Sequence, residues 1–535
     1  MKVFGTVSES HIEAPRRSQP QSGNPRTSED RIFYAIYGLA LAVTISIWFL
    51  AVRAPLWLDE TGSYWQISKG FSGIMSRQVI SFPAYSYILW LSTKIIGSSE
   101  IALRVPSILA MLGAVYLLYL AGRELFNREL ALIAAIVFCL HPVVVFAAID
   151  VRPYAFAVLA TNASIFILLR LRRSDSNWLA ALFGLSAACN IWFYYLFATI
   201  LPALVLCLFV ARTGDRKAPW RQFGIALGAF ALAFLPVIPG LQYLFRTSGS
   251  HVFAPTENLR SVAWTFTPGW LWVILGVAAL IAIVITRSDR KIHFKGGQIL
   301  LCAFLALIPI LILYGVSLGT SIHVFAKRYR LEAVPGIALC WAMLLGSIRF
   351  RAVRLAICVV LVAVAASLAF ISPSSMQHGD SWKYALEAAE RNASVDGAPV
   401  LICSDFIEAD YATMPLDSAK ESRYFSPLSY YRLSVPVVPL PRALNGEAIR
   451  VGSQFLQEAA MRHERFLAVA YEPSYKTLDW LAQSAAGTHS VRKLGVFDGV
   501  EVLEFVPRSG FVEAPSLQDS GGPSRMAPSP QVRPL

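Results

Sequence analysis

The sequence predicts an α-helical polytopic membrane protein of about eleven transmembrane helices, with a small α/β domain near its C-terminus. Three observations carry this. Hydrophobic residues make up 56% of the 535-residue chain and charged residues only 15%, whereas soluble globular proteins carry roughly 25% charge. Mean hydropathy is +0.53, and nearly charge-free runs such as Ile32 to Val52 and Leu355 to Ile371 approach the ~20 residues that cross a bilayer. Beyond residue 371 the composition changes sharply.

Residues 1–31 are polar and rich in Ser, Pro and Arg. They lack a signal peptide's apolar stretch and read as a disordered inner tail, which makes the first span an uncleaved signal anchor. Apolar runs follow near 32–52, 104–121, 129–147, 153–169, 178–194, 196–211, 222–244, 267–286, 298–318, 331–348 and 353–371. The connections set the orientation. Arg16, Arg17, Arg26 and Arg31 precede the first run, and every even-numbered run ends in a basic cluster. These clusters begin at Arg123, Arg170, Arg212, Arg287 and Arg349. Eleven spans with the N-terminus inside therefore satisfy the positive-inside rule.

Pro83 to Gly97 competes for span status but is short. Crossing there would move every later basic cluster outside, so it reads as an interfacial helix anchored by Tyr85, Tyr87, Trp90 and Lys94. It lies within a long first outer loop, 53–103. By the same parity, 178–211 is a hairpin turning near Asn190 to Tyr195. The membrane region thus spans 32–371, and an outer region follows over 372–508. There, Trp382 to Arg391 has helical spacing of Ala385, Leu386 and Ala389. Val400 to Cys403 and Phe466 to Ala470 read as strands. Val435 to Val438 is at best an edge strand because of Pro436. Asp498-Gly499 signals a turn before a strand over 500–506. Residues 509–535, rich in Ser, Pro and Gly, read as a disordered tail.

The net charge of +13 raises nucleic acid as a partner, but a membrane protein's cytoplasmic excess of Lys and Arg accounts for it, so no nucleic acid is expected. Six of the seven Cys lie in apolar runs and Cys403 is alone outside them, so neither a disulfide framework nor zinc spacing is present. No P-loop, GxGxxG, HExxH or CxxC pattern stands in a usable context.

Charge parity collects the unusual polar residues on the outer face. Asp59 and Glu60 begin the first outer loop, among Trp57, Leu58, Tyr64 and Trp65, which make a poor solvated loop. Asp150 and Arg152 lie between the third and fourth spans, where the plain alternative for Asp150 is a helix N-cap. His323, Lys327, Arg328, Tyr329 and Arg330 lie between the ninth and tenth, where snorkelling is the plain alternative. Arg104 opens the second span. Basic residues on this side run against the charge rule, which points to anion binding. A sugar attached to a phosphate has a good leaving group, so one carboxylate suffices to deprotonate an attacking hydroxyl. Arginines would stabilise charge on the departing phosphate. A glycosidase would instead need two carboxylates.

Four landmarks resemble the GT-C glycosyltransferases of the bacterial 39/83 type, related to protein mannosyltransferases and the aminoarabinose transferase of lipid A. They are Leu58-Asp59-Glu60; Gly97-Ser98-Ser99-Glu100 with Ala102 to Ser107; Arg152-Pro153-Tyr154-Ala155; and Arg328-Tyr329 before Pro335. Asp380-Ser381-Trp382-Lys383 also resembles the start of that family's outer domain, and the likeness covers roughly 32–508. It implies a polyprenyl-phosphate sugar donor, inverting transfer to an envelope lipid, glycan or protein, and a bacterial inner membrane with the C-terminal region in the periplasm. It implies Asp59 as base with Glu60 and Asp150 as supporting acids. Arg328 and Lys327 would hold the donor phosphate, with Tyr329, Arg152 and Arg104 as further binding residues. It fixes no cofactor, and metal dependence varies in the family; Asp59 with Asp150 is the pair that could hold a divalent cation. The chain departs from the family in Ser81-Phe82-Pro83, where a basic or His residue often precedes the proline. It also lacks a W-W-D-Y-G motif and a β-trefoil insertion, which leaves the acceptor open. A transporter or flippase, or a glycan polymerase or ligase using a diphosphate-linked donor, are the competing readings.

Overall fold

The computed structural model describes residues 28–76, 83–210, 219–247, 258–285, 294–320, 323–371, 381–406, 422–471 and 474–508. The expected tails over 1–27 and 509–535, the basic residues Arg212, Arg216, Lys217, Arg287, Arg290 and Lys291, and Ser81, Phe82 and Asp380 lie outside the described residues. The chain divides into two compact units. One comprises Met1–Arg53, Ile80–Arg246 and Val252–Gln377, and the other Ala54–Val79, Thr247–His251 and His378–Leu535. The expected outer loop 53–103 is therefore split between them.

In the helical unit, among the described residues, six helices are long and apolar enough to cross a membrane. They are Ser28–Ala51, Glu100–Leu125, Tyr154–Leu171, Trp220–Gln242, Gly296–Gly319 and Arg351–Ile371. Counting each bent pair as one span, Arg128–Leu140 with Pro142–Ala148 and Leu259–Phe266 with Leu271–Ile285, gives up to eight. The remaining apolar runs form shorter helices, Asn177–Phe193, Leu201–Phe209 and Val334–Gly346. Length and composition thus give six to eight spans where the charge pattern asks for eleven.

The 73° bend in the third run falls at His141-Pro142, where proline supplies no N–H to continue the ladder. The predicted hairpin turn is at Tyr194, whose extended backbone separates Asn177–Phe193 from a 3-10 turn, Tyr195–Ile200. Pro83–Ile96 is a helix, as the sequence predicts. However, Tyr85 and Leu89, four residues apart on one face, are buried rather than interfacial. Tyr85 meets Phe156 edge-on at 5.7 Å. Lys94 lies over the Trp90 ring.

Small and neutral polar residues pack the helices. A Cβ on Gly184 would sit 2.0 Å from the Ala226 carbonyl oxygen, and one on Gly336 2.4 Å from the Ala306 nitrogen, so backbones approach directly at both sites. Thr161 donates to Asn190 Oδ1 at 2.6 Å, and Asn162 donates to the Ala114 carbonyl at 2.8 Å.

Charge is concentrated where the first, third and eleventh runs begin. Arg354 grips buried Glu129 with two hydrogen bonds of 3.0 Å, from Nε to Oε1 and from Nη2 to Oε2. Tyr37 also donates to Oε1, at 3.1 Å. Arg351 adds an Nε–Oε2 contact of 3.3 Å, pairs with Asp30 and covers the rings of Phe33 and Tyr34. Further along, Trp48 donates to the Cys139 carbonyl at 3.1 Å. The first and third runs therefore lie parallel, as alternation of odd-numbered spans requires.

The second unit holds a five-stranded sheet in the order β2-β1-β3-β5-β4. Its strands are β1 (Val400–Cys403), β2 (Val437–Leu440), β3 (Phe466–Tyr471), β4 (His489–Phe497) and β5 (Val500–Pro507). β1 pairs in parallel with β2 and β3, while β5 is antiparallel to β3 and β4. Side chains alternate across β1. Val400 and Ile402 pack with Trp382 and Leu386, whereas Leu401 and Cys403 pack with Leu456 and Leu481. Burial pushes the Cys403 thiol up to about 12, which makes it an inert core residue. β2 is an edge strand, two residues beyond the expected start. β4, the other edge, was not predicted. Only His489 is buried among residues that include exposed Arg492 and Lys493, a composition that suits an edge. Asp498 and Gly499 both have positive φ, 46° and 86°, as a two-residue hairpin turn demands.

Two outcomes follow. Glu129→Ala leaves the Arg354 charge buried without its carboxylate and should cost about 3–5 kcal/mol. Replacing both residues by leucine should recover most of that, as read by thermal unfolding in detergent. In the sheet unit, the Arg465 guanidinium holds the Asp396 carboxyl below its usual value by hydrogen bonding. That contribution is present above the ordinary Asp pKa and lost as pH falls through the lower folded value. Asp396→Asn should therefore flatten the acid-side loss of stability below about pH 4.

Candidate functional site

Three chain segments gather at one end of the helical unit: the connection before Tyr154, the break at Tyr194, and a 3-10 turn over Lys327–Ala333. Each lies at a junction between apolar runs, so each can carry polar side chains without placing them among lipid tails. Tyr194 is the hub. Its ring centroid lies 5.0 Å from Tyr154, 5.4 Å from Tyr195 and 5.6 Å from Tyr329. The Arg152 guanidinium stands 5.9 Å from the Tyr154 ring and that of Arg328 5.2 Å from Tyr329. Arg328 also donates to the Tyr329 hydroxyl at 3.3 Å. Arg152, Arg328, Tyr195 and Tyr329 are half-buried, while Lys327 is exposed. The ensemble offers cationic planar donors beside phenolic hydroxyls, the chemistry that recognises a phosphate.

Asp150 is fully buried in the same connection. It is not an N-cap, because the helix begins at Tyr154 behind Pro153. Arg104 is 1% exposed and donates to the Val52 carbonyl at 2.9 Å, fastening the end of the first span to the second. His323 is half-buried.

Asp59 and Glu60 belong to the other unit, in the helix Leu58–Ile67. That helix is joined to the segment after β1. Thr61 and Ser426 hydroxyls are 2.9 Å apart, the Leu56 N–H donates to the Tyr431 hydroxyl at 2.7 Å, and Tyr64 meets Tyr430 edge-on at 4.9 Å. Asp59 is half-buried in the first helical turn, where backbone N–H groups favour an anion. Glu60 is fully buried, and its Oε2 accepts the Trp57 N–H at 3.2 Å. It thereby does half the work of a capping box. Among the described residues, no three His, Cys, Asp or Glu side chains gather in a metal-binding group.

Sequence reasoning missed Glu332, which is fully buried and accepts a hydrogen bond from Thr199. It also treated Tyr194 and Tyr195 only as a turn. The available signals were an acidic residue at the head of an apolar run and paired tyrosines inside an otherwise apolar hairpin.

The fold is that of a polytopic α-helical membrane protein with a small second unit built on a mixed β-sheet. Residues 81–243 match the family model described as dolichyl-phosphate-mannose-protein mannosyltransferase. Among solved structures, the chain is similar to ArnT from Cupriavidus metallidurans bound to undecaprenyl phosphate. Identity is 11% and the TM-score 0.55, over 89% of this chain and 98% of that one. The apo form of the same protein gives 12% identity and a TM-score of 0.53, over 88% and 98%. The apo oligosaccharyltransferase of Archaeoglobus fulgidus gives 11% and 0.45, over 90% and 75%. No curated protein matches the chain by sequence.

The Glu60 geometry separates capping from chemistry. Glu60→Gln keeps an acceptor for the Trp57 N–H, so melting temperature should hold. Glu60→Ala should cost about 0.5–2 kcal/mol, again read by thermal unfolding.

Proposed function

We propose that the chain is an inverting glycosyltransferase. It moves a sugar from a polyprenyl-phosphate donor to a hydroxyl of an envelope lipid, glycan or protein, on the outer face of a bacterial plasma membrane. The observation that carries this reading is the pairing of Arg152 and Arg328 with four tyrosines at one end of a GT-C-type helical unit. The similar ArnT structure is of a protein bound to undecaprenyl phosphate, a ligand of the class that such a cluster would recognise.

The roles divide by chemistry. Arg328, with Lys327, Arg152 and the Tyr329 hydroxyl, holds the donor phosphate and takes up its developing charge. The acceptor oxygen attacks the anomeric carbon, the bond from that carbon to the phosphate oxygen breaks, and polyprenyl phosphate leaves. The acceptor proton passes to a carboxylate, for which Asp59 is the assigned base. Asp150 supports the site as a buried acid, and Glu60 holds the helix that carries Asp59. The charge pattern supports a cytoplasmic N-terminus and a periplasmic region over 372–508.

A transporter is the second reading, because the third run is broken and Thr161, Asn162 and Asn190 are buried. Those three side chains are uncharged, and their bonds join neighbouring helices, which serves packing.

With purified protein and a polyprenyl-phosphate sugar, Asp59→Asn should lower transfer about 10²- to 10⁴-fold without shifting the melting temperature. Arg328→Ala should lower kcat by about 10²-fold or more. Intact transfer in Asp59→Asn would remove the base assignment, and intact transfer in Arg328→Ala would remove the phosphate site.

A further inference from the structure

The turn Lys327–Ala333 presents Arg328 and Tyr329, yet two of its other residues are ionisable and buried. Arg330 is 5% exposed and Glu332 0%. Each has named partners on a different neighbouring segment. Arg330 reaches the helix Leu259–Phe266, where its Nη1 donates to the Ser261 carbonyl at 2.7 Å and to the Thr265 hydroxyl at 2.8 Å. Its guanidinium also stacks 4.7 Å from the Phe325 ring. The receiving helix is tied in turn to the bend of the third run, since His141 Nε2 contacts the Thr265 carbonyl at 3.1 Å. Trp341 donates to the Phe266 carbonyl at 3.0 Å. Glu332 reaches the opposite way, accepting from Thr199 in the turn that begins at Tyr195.

Burying two ionisable side chains is costly unless each gains specific partners. An apolar pair at 330 and 332 would have packed more cheaply, so the geometry calls for a reason to retain polar groups there. We infer that Arg330 and Glu332 are positioning residues. They pin the Arg328-Tyr329 turn from two sides, one anchor to Ser261 and Thr265 and the other to Thr199, and so preorganise the guanidinium and phenol that meet an anionic ligand. The inference rests on the proposed reaction in one respect, that the ligand is a lipid phosphate. A short 3-10 turn has few hydrogen bonds of its own, and a displacement of about 1 Å in a positioning element can cost on the order of 10²-fold in rate. The Tyr194 and Tyr329 rings lie 5.6 Å apart, so loosening the turn that carries Tyr329 would disturb both walls of the cluster.

The test uses the anchors' partners, which touch no proposed ligand. Thr265→Val and Thr199→Val remove one hydroxyl each with little change of shape, and Thr265→Ser and Thr199→Ser restore it. In the full chain in detergent, hydrogen exchange over 327–333 should quicken in both valine variants and return to the wild-type rate in the serine variants. Affinity for undecaprenyl phosphate should fall about tenfold in the valine variants and recover with serine, while the melting temperature stays within a few degrees. Unchanged exchange over 327–333 in both valine variants would overturn the anchors. Quickened exchange with unchanged affinity would overturn their positioning role. Wild-type protein that fails to bind undecaprenyl phosphate would instead sink the proposed donor class, and the exchange measurement would still judge the anchors.

Discussion

Insertion scales put the cost of a charged side chain at a bilayer's centre at roughly 2.5–3.5 kcal/mol. The helical unit is arranged around that constraint. Its buried charges collect at two levels. At one, Glu129 is shared by Arg354, Arg351 and the Tyr37 hydroxyl where three odd-numbered runs begin. At the other, buried Arg330 and Glu332 and half-buried Arg152 and Arg328 sit at junctions between apolar runs. Between the levels the polar contacts are those of neutral groups such as Thr161, Asn162 and Asn190. The first level is closed, because the paired guanidinium and carboxylate use each other's donors and acceptors. The second mixes two half-buried arginines with aromatic hydroxyls.

The two levels differ in composition. Glu129 and Arg354 resemble a tie that fixes helix order, while the Arg152 and Arg328 cluster has the composition of a phosphate site. Glu60 shows the same division on a smaller scale. It stands beside Asp59 in sequence, and its carboxylate accepts the Trp57 N–H at the start of the helix.

Much of the fold was legible because hydrophobic runs and basic clusters report directly on lipid contact and charge cost. The strands Val400–Cys403 and Phe466–Tyr471 were legible for a similar reason, as both are buried on two faces and read as unbroken apolar stretches. His489–Phe497 was not, because an edge strand needs no apolar alternation. Span count was harder, since Val334–Gly346 and Leu201–Phe209 are shortened by 3-10 turns that apolar composition does not reveal. Arg328-Tyr329 and Arg152 could be singled out as charges at run ends. Tyr194 and Glu332 carried weaker signals, because their significance depends on which breaks meet in space. The buried state of Tyr85 likewise depends on Phe156, 71 positions later in the chain.

The central claim is that the chain consumes a sugar-phosphate lipid rather than moving it. The most direct measurement reconstitutes the protein in vesicles with a polyprenyl-phosphate sugar and envelope acceptors, then follows the lipid by mass spectrometry. The account predicts accumulation of polyprenyl monophosphate matched by one sugar gained on an acceptor hydroxyl. Intact donor appearing on the opposite leaflet, with no monophosphate formed, would contradict it.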